Sequence, residues 1–263
     1  MYGYDGLSST ANNLFYNSSG QLVYYTAGVG LVYTKPPQHS QAFFLGHSDD
    51  IRALALCKSP VEHNGVQFPA GTLAATGQVS SHEEGPYVCI WDTRPQGESC
   101  LVVQKIPLTK ESRSISALGF SADGKYLAVV TTDNMHTVYV YDWRARNSVG
   151  EGKGYNGEPP GVFGIEWNQH QVAHGLVPEF VTFGRKHIKR WRPDAAKGTW
   201  AVQTLAFGKA IIQNIHSAAF LPPTDVGPNL ESLIVAGAND GSLYLFRWVL
   251  ALMRPGLHRQ QCS

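Results

Sequence analysis

The chain has 263 residues, 43% of them hydrophobic, which is enough for one large packed domain or two small ones and argues against disorder. With 21 basic and 20 acidic side chains the formal charge is +1, so no net field draws the molecule to nucleic acid or to a membrane surface. Residues 1–100 hold 4 basic against 8 acidic side chains and the remainder 17 against 12, so a local basic surface is expected in the later part.

Residues 1–45 read as short strands: Leu14-Phe15-Tyr16, then 21–26, 29–33 and 42–45, with turns at Asn17-Ser18-Ser19-Gly20 and Ala27-Gly28. Leu22-Val23-Tyr24-Tyr25 is apolar on both faces of its strand, which predicts a position between neighbouring sheets rather than a solvated edge.

From residue 46 onward the pattern repeats. Four alternating strands end in an aromatic anchor: Val88-Cys89-Ile90-Trp91-Asp92, Val138-Tyr139-Val140-Tyr141-Asp142, Ile188-Lys189-Arg190-Trp191-Arg192 and Leu243-Tyr244-Leu245-Phe246-Arg247. The anchors stand at 91, 141, 191 and 246, at intervals of 50, 50 and 55. Before each anchor come an apolar strand, a turn, a second strand and a second turn, as in Ile115 to Phe120, Ser121 to Lys125, Tyr126 to Val130 and Thr132-Asp133-Asn134. No window carries a convincing helical period. A recurring set of three or four antiparallel strands closing on Trp-Asp is the signature of a WD-type β-propeller blade; a β-sandwich shares the alternation but not the near-equal intervals. The expected fold is therefore all-β: four recognisable WD-repeat blades plus an N-terminal β unit, with repeats near 46–97, 98–147, 148–197 and 198–250 and loop insertions near 63–70, 77–86, 150–161 and 222–229. No repeat shows the full set of Gly-His, Ser or Thr, turn Asp and Trp, so cohesion is expected from apolar packing.

The chain resembles the echinoderm microtubule-associated protein-like family, marked by a hydrophobic HELP motif ahead of atypical WD repeats. The resemblance is carried by Tyr2-Gly3-Tyr4, Asn12-Asn13-Leu14, Val23-Tyr24-Tyr25-Thr26-Ala27-Gly28-Val29-Gly30, Leu45-Gly46-His47-Ser48-Asp49-Asp50-Ile51 and Ala75-Thr76-Gly77-Gln78-Val79. It continues through Val88 to Asp92, Tyr141-Asp142-Trp143-Arg144, Lys186-His187-Ile188-Lys189 and Phe207-Gly208-Lys209. It implies a HELP motif over residues 1–45 and propeller blades over 46–263, forming part of a larger tandem propeller. It implies a non-catalytic scaffold that binds tubulin and supports microtubule organisation, in the cytoplasm and on the microtubule cytoskeleton, including that of a cilium or flagellum. The alternative is an adaptor for another cytosolic or ciliary complex. Neither reading calls for a cofactor, a metal, a small-molecule substrate, nucleic acid or a membrane. The five units are expected to form an open array.

Against this background the densest charge run, residues 185–192, is the candidate tubulin contact, through Arg185, Lys186, Lys189 and Arg192; the competing reading is a solvated strand face. Arg190 fills the slot held by Ile90, Val140 and Leu245 elsewhere, so it is expected to pair with a carboxylate between blades or to mark a face open to solvent or a partner. His170 and His174 have helical metal-ligand spacing but lie between strands and lack the adjoining Glu. Gly150-Glu151-Gly152-Lys153-Gly154 has the look of a phosphate loop without the strand and helix that would aim it. The Asp49-Asp50 and Glu83-Glu84 pairs would point to opposite faces of a strand, which makes them poor catalytic dyads.

Overall fold

Short alternating segments broken by Gly, Asn and Asp fold here into antiparallel meanders, which the computed structural model describes over residues 12–81, 83–157, 161–170, 177–222 and 233–246. The first sheet runs β1 (Leu14–Tyr16), β2 (Leu22–Thr26), β3 (Val29–Tyr33) and β4 (Gln41–Phe44) in sequence order. The second is built from β5 (Ile51–Leu56), β8 (Leu73–Gln78), β9 (Tyr87–Asp92) and β10 (Val102–Pro107), with a separate hairpin, β6 (Val61–His63) and β7 (Val66–Phe68), inserted after β5. The third holds β11 (Ile115–Phe120), β12 (Tyr126–Thr131), β13 (Thr137–Asp142) and β14 (Asn147–Lys153), and the fourth β15 (Val162–Trp167), β16 (Phe180–Gly184), β17 (His187–Asp194) and β18 (Thr199–Thr204). The fifth shows β19 (Ile215–Phe220), β20 (Ile234–Ala238) and β21 (Leu243–Phe246) among the described residues.

Strands β5, β11, β15 and β19 face one another in succession along the inner side of the array. Each carries the same irregularity next to its first residue, a register shift that leaves Arg52, Ser116, Phe163 and His216 as the extra residues. A bulge at a fixed place re-aims one side chain per sheet. Arg52, Ser116 and Phe163 thereby line a shared inner cavity, and Phe163 stacks on His216 at 5.3 Å. This repeated bulge marks the units as copies of one design more sharply than their sequences do.

The core lies between sheets. Val23, Tyr25, Val32 and Phe44 of the first sheet pack on Ile51, Leu54 and Trp91 of the second, with the Phe44 and Trp91 rings parallel at 4.8 Å. Tyr24, on the opposite face of β2, is also buried, so the strand that reads as apolar on both sides is enclosed on both. The next interfaces are filled around Trp143, then around Trp167, Trp191 and Trp200, then around Phe183, Ile188, Phe220 and Phe246. Trp91, Trp143, Trp167 and Trp191 are all fully buried; truncating such a ring to Ala costs roughly 3–5 kcal/mol. Leu243 and Leu245 of β21 are largely exposed, and among the described residues no strand of the first sheet pairs with one of the fifth.

Several expectations change on contact with the fold. The repeat limits near 97, 147 and 197 fall close to the junction of the third and fourth strands, because the aromatic anchor that ends each sequence motif precedes the outer strand that completes its sheet. The insertion near 63–70 is ordered: Asn64 and Gly65, at φ 52° and 75°, form the two-residue turn of the β6–β7 hairpin. Residues 150–153 belong to β14. Their alternate glycines make room for tryptophans of the fourth sheet, since a Cβ on Gly152 would sit 2.8 Å from the Trp191 ring and one on Gly150 would collide with Trp200. In the third sheet Trp143 supplies the anchor rather than Tyr141. Its ring lies in the core and its Nε1 donates to the Gly124 carbonyl at 2.8 Å, while Tyr141 is only half-buried.

Candidate functional site

The turns between the second and third strands lie on one rim of the array, in the first three sheets beside the segment that enters the innermost strand of the next sheet and in the fourth beside the segment that enters its own. Backbone hydrogen bonds join turn to segment: Ile51 N–H to Ala27 O at 2.9 Å, Ser80 N–H to Arg113 O at 2.6 Å and Gly154 N–H to His136 O at 3.1 Å between neighbouring sheets, and Arg185 N–H to Gly161 O at 2.9 Å within the fourth sheet. The rim is thus a backbone-linked platform on which the exposed turn side chains are set.

In the second sheet the platform continues into a buried polar chain. Trp91 Nε1 donates to Thr76 Oγ1 at 3.1 Å, the Thr76 hydroxyl donates to His47 Nε2 at 2.7 Å, and His47 Nδ1 donates to Gln78 Oε1 at 2.9 Å. That direction is the one that satisfies every member, since the indole can only donate. Gln78 also donates to Ser48 Oγ at 3.1 Å, while Tyr87 stacks on His47 at 5.3 Å and donates to the Gly46 carbonyl. Burial holds the His47 pKa down to about 4, so the ring is neutral. The Gly-His, Thr and Trp of this repeat therefore do close a network, with Gln78 in place of a turn aspartate. The fourth sheet keeps one link of it, Trp191 Nε1 to Thr182 Oγ1 at 3.0 Å.

The cationic run at 185–192 does not act as one patch. Gly184 pairs with His187 across the turn, which leaves Arg185 and Lys186 exposed at its tip, Lys186 at φ 55°. Beyond it, β17 sends successive side chains to opposite faces. Ile188 enters the core shared with the fifth sheet and Trp191 the core shared with the third. Lys189 is half-buried, donates to the Lys153 carbonyl at 3.0 Å, and has its pKa lowered by burial and then by the Lys153 charge. Arg190 is 3% exposed and ion-paired with Glu179, which is 1% exposed. Arg190 Nε reaches Glu179 Oε2 at 2.6 Å, Arg192 Nε reaches the same oxygen at 2.9 Å, and Asn168 donates to Oε1 at 2.9 Å. The carboxylate that Arg190 requires is thus in its own sheet, just before β16, and not between blades. Arg192 shares it. Arg185 and Lys186 are the two candidates whose charges face solvent without an ion pair among the described residues.

The other residues singled out from sequence are placed separately. His170 Nε2 contacts the Phe220 carbonyl at 3.2 Å, and residue 174 lies outside the described residues. Asp50 pairs with Arg52 at 3.5 Å and Glu84 with Lys105 at 3.3 Å, both on the surface. Cys57, Cys89 and Cys100 are unpaired and buried, with thiol pKa values raised to about 11, 12 and 12 by burial.

Meandering four-stranded sheets arrayed around an inner cavity, packed through tryptophans and tied by a Trp-Thr-His chain, define a WD-type β-propeller protein. Residues 1–31 match the HELP motif model. The chain is 28% identical over 254 residues to the 77 kDa echinoderm microtubule-associated protein of Strongylocentrotus purpuratus, covering 94% of this chain and 32% of that protein. It is 28% identical over 260 residues to mouse echinoderm microtubule-associated protein-like 3, covering 92% and 26% respectively. It is 32% identical over 199 residues to the human protein-like 2, covering 73% and 27%. The chain is thus similar over most of its length to echinoderm microtubule-associated proteins and proteins named as like them, and it spans about a third or less of the length of these relatives.

Proposed function

We propose that the chain is a non-catalytic, microtubule-associated scaffold whose propeller surface binds tubulin. The observation that carries this reading is its similarity, over most of its length, to proteins named as microtubule-associated. The rim supports it: a backbone hydrogen bond anchors the β16–β17 turn to the start of β15 and leaves Arg185 and Lys186 exposed, an arrangement suited to an acidic partner surface. Lys189 and Arg192 contribute less to such a contact than their place in the sequence suggests, because each is already engaged within the fold. The proposed setting is the cytoplasm and its microtubules. The test is titration of the chain with tubulin dimers, with pelleting on assembled microtubules as a second arm. Saturable binding that weakens with salt is expected. Binding to neither form would overturn the reading and leave an adaptor for another protein.

A further inference from the structure

Charged side chains that are not exposed are, among the described residues, tied to a partner: Arg190 and Arg192 to Glu179, Arg94 to Asp92, Lys189 to a carbonyl, Asp133 to Thr131 and two backbone N–H groups, Lys125 over the Tyr126 ring. Glu166 is the exception. It stands next to last in β15, opposite Val181, and is half-buried, and among the described residues no hydrogen bond or ion pair holds its carboxylate. Around it is a cavity of about 170 Å³ at the axis of the array, lined by Phe15, Leu56, Phe120 and Trp167 from four successive sheets and by the polar Asn12 and Gln169, with the exposed Lys58 on its border.

The size selects the occupant. Sites for whole drug-like molecules run to roughly 300 Å³ and more, whereas a single water needs about 10–15 Å³; this cavity suits one long side chain. Charge selects it further. An acidic side chain would meet the Glu166 charge, and an apolar one would seal that carboxylate away from water without a partner. Burial already raises the Glu166 pKa, and Lys58 offsets this only in part. A cation placed on the carboxylate would remove the unfavourable term.

We infer that the axial cavity at Glu166 binds a single lysine or arginine side chain of a partner polypeptide, entering end-on, with its stem against Phe15, Leu56 and Phe120 and its charged head on the Glu166 carboxylate. The inference is independent of the tubulin reading, which rests on the rim and on the relatives. Phe15, Leu56 and Phe120 lend the stem its contact area, and the carboxylate supplies selection between basic and neutral side chains.

The probe is a blocked pentapeptide, acetyl-Gly-Ser-Arg-Ser-Gly-amide, titrated against the chain by calorimetry and chemical-shift perturbation, with the citrulline peptide as its uncharged twin. The arginine peptide is expected to bind at least tenfold more tightly, shifting resonances of Phe15, Phe120 and Trp167, and to weaken as pH falls through the raised Glu166 pKa. Glu166→Gln should abolish the preference while leaving the melting temperature equal or higher, because it removes a poorly solvated charge that the fold does not use. Lys58→Gln should tighten the arginine peptide several-fold by removing the competing cation. Equal affinity for the two peptides, a preference that survives Glu166→Gln, or a melting temperature that drops in that variant would overturn the assignment, the last by showing that the carboxylate serves the fold.

Discussion

Gln78 Oε1 lies 2.9 Å from His47 Nδ1, on the far side of the imidazole from Thr76. That contact fixes the tautomer of His47 and so completes the buried chain that begins at the Trp91 indole. Gln78→Leu would leave the His47 N–H unpaired, at a cost of about 1–3 kcal/mol. Thr76→Val is the harsher change, because it strands both the indole N–H and His47 Nε2, and about 2–4 kcal/mol is expected. Urea melts followed by tryptophan fluorescence would rank them: Thr76→Val below Gln78→Leu below the parent. A Thr76→Val protein as stable as the parent would mean that the network contributes nothing beyond packing.

His47 and His187 make stability pH-dependent in one direction. Burial lowers both pKa values from 6.5 to about 4, and among the described residues His187 Nε2 is a buried nitrogen without a hydrogen-bond partner. The native state then binds fewer protons than the unfolded chain between these values, so their contribution is full above pH 6.5 and is lost as pH falls toward 4. Each represents about 3 kcal/mol in all, of which about 2 kcal/mol is gone by pH 5. A melting temperature roughly 10 °C lower at pH 5.0 than at pH 7.5 is expected from the pair. His187→Asn should flatten about half of that slope; a variant with the parent's full slope would assign the titration elsewhere.

Glu179 serves two guanidiniums and Asn168, so it should matter more than either arginine. Glu179→Leu leaves Arg190 charged and buried, a loss of about 3–5 kcal/mol. Arg190→Leu should cost less, because Arg192 and Asn168 still hold the carboxylate. The double variant Glu179→Leu with Arg190→Leu should recover part of the Glu179 loss, since the half-exposed Arg192 can turn to water. Chemical denaturation of the three proteins checks the order, and additive losses would show that Glu179 and Arg190 do not act as a pair.

Much of this was legible in the residues because it is local. Alternation, Gly-Asp-Asn breaks and the near-even spacing of Trp91, Tyr141 and Trp191 mark the strands and their repetition, and the two-faced apolarity of Leu22 to Tyr25 marks its burial on both sides. What was not legible depends on register or reach. Gln78 replaces an aspartate through where its side chain arrives, not through its type. Arg190 stands out in sequence, yet its partner Glu179 is identified only once β16 and β17 pair Val181 with Arg190. The Gly150 to Gly154 run looks like a binding loop until Trp191 and Trp200 are seen against it. The cationic run looks like a patch until period two divides it between faces. Glu166 has no sequence signal at all, since its meaning comes from strands of four sheets meeting at the axis.

Charge reversal at the tip of the β16–β17 turn is the sharpest test of the proposed tubulin contact. Arg185 and Lys186 are exposed, so Arg185→Glu and Lys186→Glu together alter the rim without disturbing the core or the Glu179 pair. The Arg185 main chain keeps its bonds, N–H to Gly161 O and carbonyl from His187 Nδ1, because neither uses the side chain. Lys186 already occupies left-handed backbone at φ 55°, and glutamate there adds little strain beyond that of lysine. Exposed ion pairs contribute only about 0–1 kcal/mol each, so the double reversal, which removes two attractions and introduces two repulsions, is expected to weaken tubulin binding about tenfold. The residual binding should also depend less on salt. Lys189→Gln is the internal control: its ammonium is half-buried on the Lys153 carbonyl, so its loss should change affinity by less than about twofold. Tubulin affinity measured for all three proteins at two salt concentrations decides the matter, and equal affinity and equal salt slope for the parent and the double reversal would move the contact off this turn while leaving the propeller itself as the binding body.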